Sequence, residues 1–171
     1  MNTISIAIHG GAGTLVKGMM TPEKEKAYQQ ALQIALDIGY QVLEKNGSAL
    51  DAVEKAVKAL EDSHLFNAGK GSVFTATETH EMDASIMDGK TLEAGAVSLI
   101  TGIKNPVSLA KDVMNKSEHV FLAGEGAMQF AKANNYSLEN AEYFHDELRH
   151  QQWLDIKDTD NCQLDHSTKK D

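Results

Sequence analysis

The amino-terminal part of the chain shows first an alternating pattern and then a helical pattern of hydrophobic residues. Residues 4–8 alternate β-branched and small side chains before a glycine-rich break at 9–13, which predicts a strand that runs into a glycine turn. Residues 21–23, Thr-Pro-Glu, combine a capping hydroxyl, a proline that needs no N–H donor and an acid at the positive helix end. Apolar residues then recur every three or four positions until Asn-Gly at 46–47, which predicts a helix over roughly residues 22–45.

A second helix and a glycine-rich sheet region follow. Ser48 and Asp51 stand three residues apart, as in a capping box, and precede apolar residues at helical spacing. Farther along, glycines separate short apolar runs, and a hairpin-type turn at 87–90 lies between two runs of strand character. We therefore predict a hairpin with strands at 84–86 and 94–99.

The next part of the chain returns to helices and strands in alternation. Asn105-Pro106 predicts the start of a third helix, which runs through about Met114. Residues 119–123 form an apolar run that predicts a buried strand, and residues 125–134 predict a fourth helix. This order of elements indicates an α/β (α+β) fold with an antiparallel hairpin in the middle.

Composition bounds the domain organisation. The chain has 171 residues, of which 42% are hydrophobic and 24% are charged, and this length supports one core of ordinary size. Apolar residues become sparse beyond Trp153, and the last segment is too polar to hold a core. We predict a single domain over residues 1–154 and a flexible polar tail over residues 155–171.

The charge balance and the single cysteine restrict partners and location. With 16 Lys plus Arg against 25 Asp plus Glu, the net charge of -9 disfavours binding to nucleic acid or to an anionic membrane surface. Cys162 cannot form an internal disulfide, and no apolar run approaches the roughly 20 residues that cross a bilayer. The amino terminus has no basic region before its apolar segment, so we expect a cytoplasmic protein.

Two glycine-rich loops are candidates for ligand contact. The run from His9 to Gly13 follows a predicted strand, so its N–H groups can approach an anion or a reacting carbonyl, or it is simply a tight turn. The segment from Gly69 to Ser72 is similar to part of a phosphate-binding loop, but His64 stands where that motif needs a glycine. The sequence therefore gives little support for nucleotide binding.

Several polar side chains can be explained by a structural role as well as by a functional one. None of the seven histidines forms the i, i+4 pair of zinc proteases, which disfavours a transition-metal site. Asp83 and Asp88 are candidates for an acid–base pair, although turn chemistry and local hydrogen bonds account better for both. Asn67 lies among glycines and between aromatic residues, so its amide is equally a rigid site group or a turn residue.

A family resemblance emerges from an ordered series of segments rather than from one motif. The segments are IHGGAG at 8–13, ALDAV at 49–53, LFNAGKGSVF at 65–74, MDASIMDG at 82–89, AGAV at 94–97, KNPV at 104–107 and HVFLAGEGA at 119–127. Together they resemble the α subunit of plant-type L-asparaginases, also called isoaspartyl peptidases, over about residues 4–153. The resemblance implies an αββα sandwich of the N-terminal-nucleophile hydrolase type, made as a precursor that cuts itself before a threonine.

The resemblance also implies how such an enzyme works. The hydroxyl of the freed threonine attacks a side-chain amide or an isoaspartyl bond, and the threonine's own α-amine serves as base. In this sequence Met1 occupies the terminus and Thr3 lies inside a predicted strand. We therefore expect the nucleophile and the substrate clamp on a separate β subunit, in an (αβ)₂ assembly that hydrolyses L-asparagine and β-aspartyl dipeptides.

Individual residues acquire expected roles from the same resemblance. Asn67 is expected to orient the threonine, and His9, Gly10 and Gly11 to adjoin the bond that is cut. Asp171 stands where the family's cut falls, and its carboxylate is expected to assist the N-to-O acyl shift. No organic cofactor is expected, but a structural sodium ion is, held by the main-chain carbonyls of Leu60, Glu61, Ser63, Phe66, Ala68 and Lys70.

Three alternatives stay open at this point. Two belong to the same fold: a glycosylasparaginase, which acts on glycosylated asparagine, and a threonine endopeptidase, which acts on proteins. The third belongs to a different class and is a stand-alone module that binds a small ligand or a nucleotide through its glycine loops.

Overall fold

A computed structural model describes residues 4–11 and 20–157. Of the amino-terminal glycine run it therefore shows residues 9–11, and Asp171 lies outside the described residues. Within the described ranges, no helix combines the length and the apolar character that crossing a membrane requires.

Two packed helices open the described fold, and both begin at the predicted caps. Helix α1 spans Pro22–Glu44 and helix α2 spans Ala49–Glu61. The Thr21 hydroxyl accepts a hydrogen bond from the Lys24 N–H, and the Ser48 hydroxyl accepts one from the Asp51 N–H. Asn46, at φ +61°, adopts the left-handed conformation just past α1, which confirms the predicted stop.

The sheet has three strands in the order β1-β2-β3. Strands β1 (Met82–Met87) and β2 (Ala94–Ile100) form the predicted antiparallel hairpin, and β3 (Phe121–Ala123) lies parallel to β2. The register shifts between Met82 and Ala84, as at a β-bulge. The chain thus has the predicted mixture of helices and strands, built around one small sheet.

Two helices cover one face of this sheet. Helices α3 (Pro106–Lys116) and α4 (Gly124–Ala133) match their predictions, apart from two extra residues at the end of α3. A Cβ added at Gly95 in β2 would lie 2.1 Å from the Ala110 carbonyl oxygen, so the missing side chain allows α3 to approach the sheet closely. The largest fully buried side chains of the core lie here: Ile100, Ile103, Val107, Leu109, Val113 and Phe144.

Two predicted strands need correction. Residues 4–8 lie outside any strand, because no other described segment forms a ladder with them, although Ile6 and Ile8 are partly buried. The prediction of a buried strand at 119–123 is wrong in burial and length. Strand β3 begins at Phe121, which is 56% exposed because β3 is an edge strand with helices on one face only.

The described chain ends in two helices that the sequence did not predict. Helix α5 spans Ala141–Phe144 and α6 spans Glu147–Ile156, anchored by the buried side chains of Phe144 and Trp153. Helix α6 thus continues two residues into the segment predicted as a tail. The rest of that segment, from residue 158 on, lies outside the described residues.

Candidate functional site

The candidate site is a loop between α2 and β1 that folds back on itself at two glycines. Gly69 adopts φ +53°, and a Cβ there would lie 2.4 Å from the Glu61 carbonyl oxygen. A Cβ at the buried Gly71 would lie 2.2 Å from the Phe66 carbonyl oxygen and 2.7 Å from that of His64. Only glycine permits such short distances. They bring the carbonyl oxygens of Glu61, His64 and Phe66 close to the Gly69–Gly71 turn.

The carbonyls expected to hold sodium lie in the last turn of α2 and in this loop. The Leu60 oxygen accepts a hydrogen bond from the Ser63 N–H, the Phe66 oxygen from the Ala68 N–H, and the Ala68 oxygen from the Gly71 N–H. The Leu60 oxygen also accepts from the Asp62 N–H, whereas the Phe66 and Ala68 oxygens each keep a second lone pair for a further partner. The sodium ligands therefore stay a prediction, and the loop that would provide them is closed by its own hydrogen bonds.

Asn67 lies at the exposed side of the loop with one end of its amide fixed. Its Oδ1 accepts a hydrogen bond from the Val73 N–H at 3.0 Å, six residues along the chain. Among the described residues, its Nδ2 donates to no acceptor. The side chain therefore closes the loop, as a turn residue does, while its donor end stays available to a ligand or a partner.

The structure brings the two glycine-rich loops together. A Cβ added at Gly10 would lie 3.2 Å from Phe66 Cε1 and 2.8 Å from Leu32 Cδ2, so the Gly10 backbone packs directly on the residue that precedes Asn67. The Gly11 N–H donates to His9 Nδ1 at 3.1 Å, which fixes the exposed end of this segment. Gly10 thus packs against Phe66, which brings the segment of residues 9–11 next to the loop that carries Asn67.

Helix α1 packs against the loop that carries Asn67. The Tyr28 hydroxyl donates to the Leu65 carbonyl oxygen at 3.0 Å, and the Tyr28 ring meets the Phe66 ring edge-on at a centroid distance of 5.7 Å. Both aromatic residues are buried. The loop that carries Asn67 is therefore tied to α1 by packing and by a hydrogen bond.

Glu61, for which the sequence predicts a role only through its main chain, also has a buried carboxylate. Its Oε1 accepts a hydrogen bond from the Val107 N–H at 2.9 Å, and its Oε2 has no partner within the described residues. Burial raises the pKa of this carboxyl to about 7. The contact ties the loop to the first turn of α3, and a polar residue on the buried face of α2 was the signal for it.

Asp83 and Asp88 each have their own local partners. Asp83 Oδ1 accepts hydrogen bonds from the Ser98 hydroxyl at 2.6 Å and from the Leu99 N–H at 2.9 Å, and these lower the pKa of Asp83. Asp88 Oδ1 accepts from the Lys90 N–H at 2.7 Å within the hairpin turn. Hydrogen bonds from β2 thus account for Asp83, and turn chemistry accounts for Asp88, as the sequence favoured.

A cavity and a cluster of polar side chains lie near the start of α6. A cavity of about 600 Å³ is lined by Phe74, His80, Leu138, Phe144 and His145, among others. His145, Glu147 and His150 place potential metal-ligand atoms within 4.8 Å of one another. The two histidines stand five residues apart, so they do not form the i, i+4 pair by which a metal-binding helix is recognised in a sequence.

Comparison with known proteins establishes the family. The sequence profile of the family described as Asparaginase matches residues 2–171, so the chain belongs to this asparaginase family. The chain is 46% identical to an isoaspartyl peptidase of Escherichia coli (strain K12) over 167 residues, covering 98% of this chain and 52% of the relative. It is 48% identical to a plant-type L-asparaginase of Pyrococcus horikoshii over 155 residues, covering 91% of this chain and 48% of the relative.

A relative from an animal has similar identity and coverage. The chain is 45% identical over 157 residues to an isoaspartyl peptidase/L-asparaginase of Xenopus laevis, covering 91% of this chain and 49% of the relative. The names of these three relatives are names of hydrolases. The chain spans about half the length of the curated relatives it matches.

Proposed function

We propose that this chain is the α subunit of an isoaspartyl peptidase and L-asparaginase of the N-terminal-nucleophile type. The observation that carries the proposal is the Asn67 amide, whose oxygen accepts from the Val73 N–H and whose nitrogen has no acceptor among the described residues, in a loop whose Phe66 packs against Gly10. The names of the relatives support the substrate class, and their greater length supports the need for a second chain.

The proposed reaction uses a threonine at the amino terminus of the partner. Its hydroxyl attacks the substrate's side-chain carbonyl carbon, and its α-amine accepts the hydroxyl proton and passes it to the departing ammonia or amine. Water then attacks the resulting ester, which releases aspartate and restores the threonine. Asn67 is proposed to act as a positioning residue, whose amide N–H groups hold the threonine or its substrate in place.

The exposed face of the sheet supports the proposed partner. Opposite α3, the side chains of Asp83, Ser85, Ala96, Ser98 and Phe121 line an open groove of about 530 Å³. Small side chains beside the half-exposed Phe121 suit close packing against a second sheet. We propose that the β subunit covers this face to complete the αββα sandwich, and that two such pairs form (αβ)₂.

Maturation, ion binding and location belong to the same proposal. The precursor is proposed to cut itself before the threonine of the β subunit, with the Asp171 carboxylate assisting the acyl shift, and to work in the cytoplasm. A sodium ion is proposed at the carbonyls of the loop from Leu60 to Lys70, because main-chain oxygens suit a hard cation. Replacing sodium by a large organic cation should then lower the melting temperature.

The test is to express the natural gene and to purify the product. We expect two fragments, of which the second begins with threonine, and hydrolysis of a β-aspartyl dipeptide and of L-asparagine. Purification of this chain as a stable, active monomer without a companion would contradict the proposal. Activity confined to glycosylated asparagine or to folded proteins would favour the alternatives within the fold, and saturable ATP binding by this chain alone would favour the nucleotide-binding module.

The role of Asn67 has a sharper test. Asn67→Asp keeps the oxygen that accepts from Val73 but removes the amide donor, so we expect kcat to fall about a hundredfold with little change in KM or in melting temperature. Asn115→Asp, on the exposed side of α3, is the matched control. Equal activities of the two variants would refute the role of Asn67.

A further inference from the structure

We propose that Glu78, His145, Glu147 and His150 form a binding site for a divalent transition metal ion such as Zn²⁺. The site lies outside the candidate site around Asn67 and does not depend on the proposed hydrolase chemistry. Imidazole nitrogens and carboxylate oxygens are the ligands that Zn²⁺ takes in proteins, besides thiolates.

The start of α6 gathers three of the four side chains. Asp146 caps this helix, since its Oδ1 accepts from the Arg149 N–H at 3.0 Å and its carbonyl oxygen from the His150 N–H at 2.8 Å. This cap fixes His145 just before the helix, Glu147 at its first position and His150 one turn later. The potential ligand atoms of these three residues lie within 4.8 Å of one another.

The fourth side chain comes from a distant and well-fixed turn. Glu78 adopts φ +61° in a turn that is closed by hydrogen bonds from the Thr75 N–H to the Thr79 oxygen and from the Glu78 N–H to the Thr75 oxygen. Its Oε1 lies 3.1 Å from His150 Nε2, although the two residues are 72 positions apart. A metal ion here would therefore join the turn before β1 to α6.

The distances agree with a tetrahedral metal site. Zinc bonds of about 2.0–2.1 Å at tetrahedral angles place neighbouring ligand atoms about 3.3 Å apart. His150 Nε2 and Glu78 Oε1 are 3.1 Å apart, and His145 Nε2 and Glu147 Oε2 are 3.6 Å apart. Two of the six ligand-to-ligand distances are thus close to the tetrahedral value. Rotations of the side chains would have to bring the other ligand atoms together, since those of His145, Glu147 and His150 lie within 4.8 Å of one another and Glu78 contacts the group at His150.

Aromatic neighbours hold both imidazole rings in place. The His150 ring stacks on Trp153 with an interplanar angle of 13°, and the His145 ring meets Phe74 edge-on at 5.8 Å. The centroids of the two imidazole rings are 5.1 Å apart. With two carboxylates, two neutral imidazoles and one divalent ion, the occupied site carries no net charge.

The experiment is titration of the purified, metal-free protein with Zn²⁺ by calorimetry, together with melting curves with and without the ion. We expect one Zn²⁺ per chain and a higher melting temperature that EDTA reverses. His150→Gln and the double variant H145Q/H150Q should weaken binding at least about tenfold. His119→Gln, which replaces an exposed histidine outside the group, should bind as the parent does.

Two outcomes would overturn the proposal. One is the absence of saturable Zn²⁺ binding, and the other is binding that H145Q/H150Q leaves unchanged. Substituting Co²⁺ gives a readout independent of stability, because tetrahedral nitrogen and oxygen coordination produces intense visible bands that the double variant should lose. Glu78→Gln tests the distant ligand, and unchanged cobalt bands in that variant would remove Glu78 from the site.

Discussion

Gly71 offers a direct test of how the candidate loop is built. The substitution Gly71→Ala places a methyl group 2.2 Å from the Phe66 carbonyl oxygen and 2.7 Å from the His64 carbonyl oxygen. Both are backbone atoms within the loop, so neither moves aside as a flexible side chain would. Overpacking of this kind costs about 1–3 kcal/mol, and we expect the upper end, about 3 kcal/mol, because the main chain itself must shift.

Gly89→Ala is the matched control, because a Cβ at Gly89 meets no atom within 4 Å. We expect that control to change the free energy of unfolding by less than about 0.5 kcal/mol. Urea unfolding measures both variants, and the melting temperature of Gly71→Ala should fall by about 2–4 °C per kcal/mol in a domain of this size. If Gly71→Ala unfolds within about 0.5 kcal/mol of Gly89→Ala, the Gly71 backbone does not lie as close to these carbonyl oxygens as argued above.

Two further substitutions test the helices. Lys111→Met removes the cation that lies 2.7 Å from Glu54 between α2 and α3, so the free energy of unfolding should fall by about 1–3 kcal/mol. Lys116→Met, which breaks the more exposed pair of Lys116 with Asp112, should lower it by less than about 1 kcal/mol. Burial opposes ionisation of Glu54, but hydrogen bonds, led by that from Lys111, lower its pKa below the ordinary 4.5. The stabilisation by ionised Glu54 is present above pH 4.5 and is lost as the pH falls through the folded pKa of Glu54. The melting temperature of Lys111→Met should therefore fall less steeply than that of the parent as the solution is acidified. An equally steep fall would contradict this. Gly126→Ala in α4, where a Cβ meets no atom within 4 Å, should raise the free energy of unfolding by about 0.5–1 kcal/mol, and a loss would contradict the open space there.

The elements that sequence reasoning predicted well are those with local signals. Helix α1 begins after Thr21 and ends before Asn46 because a hydroxyl cap and a left-handed residue act within one turn of the helix. Ser48 does the same for α2. The hairpin between β1 and β2 is also a local feature, since its connection lies within a few residues of both strands.

The errors arise where burial depends on distant neighbours. Residues 119–123 are as apolar as a buried strand, yet Phe121 is 56% exposed because helices cover only one face of that edge. Residues 4–8 keep the alternation of a strand without a ladder in the described chain. Helix α6 went unpredicted because its sequence is polar, and its position depends on the burial of Trp153.

The candidate site was only partly accessible to sequence reasoning for the same reason. The motif around Asn67 singled out the loop, but the contact of Gly10 with Phe66 joins segments more than fifty positions apart. The ligand group beside α6 depends on Glu78, which reaches His150 from 72 positions away. No local pattern encodes such distances, because they follow from how the helices and the sheet pack.

The two kinds of residue in the candidate loop should therefore respond differently to substitution. Leu60, Ser63 and Ala68 would take part through their main-chain oxygens, so changes of side chain there should matter little unless they disturb packing. Gly69 and Gly71 are different, because a side chain at Gly69 would strike the carbonyl oxygen of Glu61 at the end of α2, and one at Gly71 would strike that of Phe66. Asn67 is a third case, since its amide closes the loop through Val73 and its nitrogen has no acceptor among the described residues. The tolerance of each position thus follows from whether the loop uses its main chain, its lack of a side chain or its side-chain chemistry.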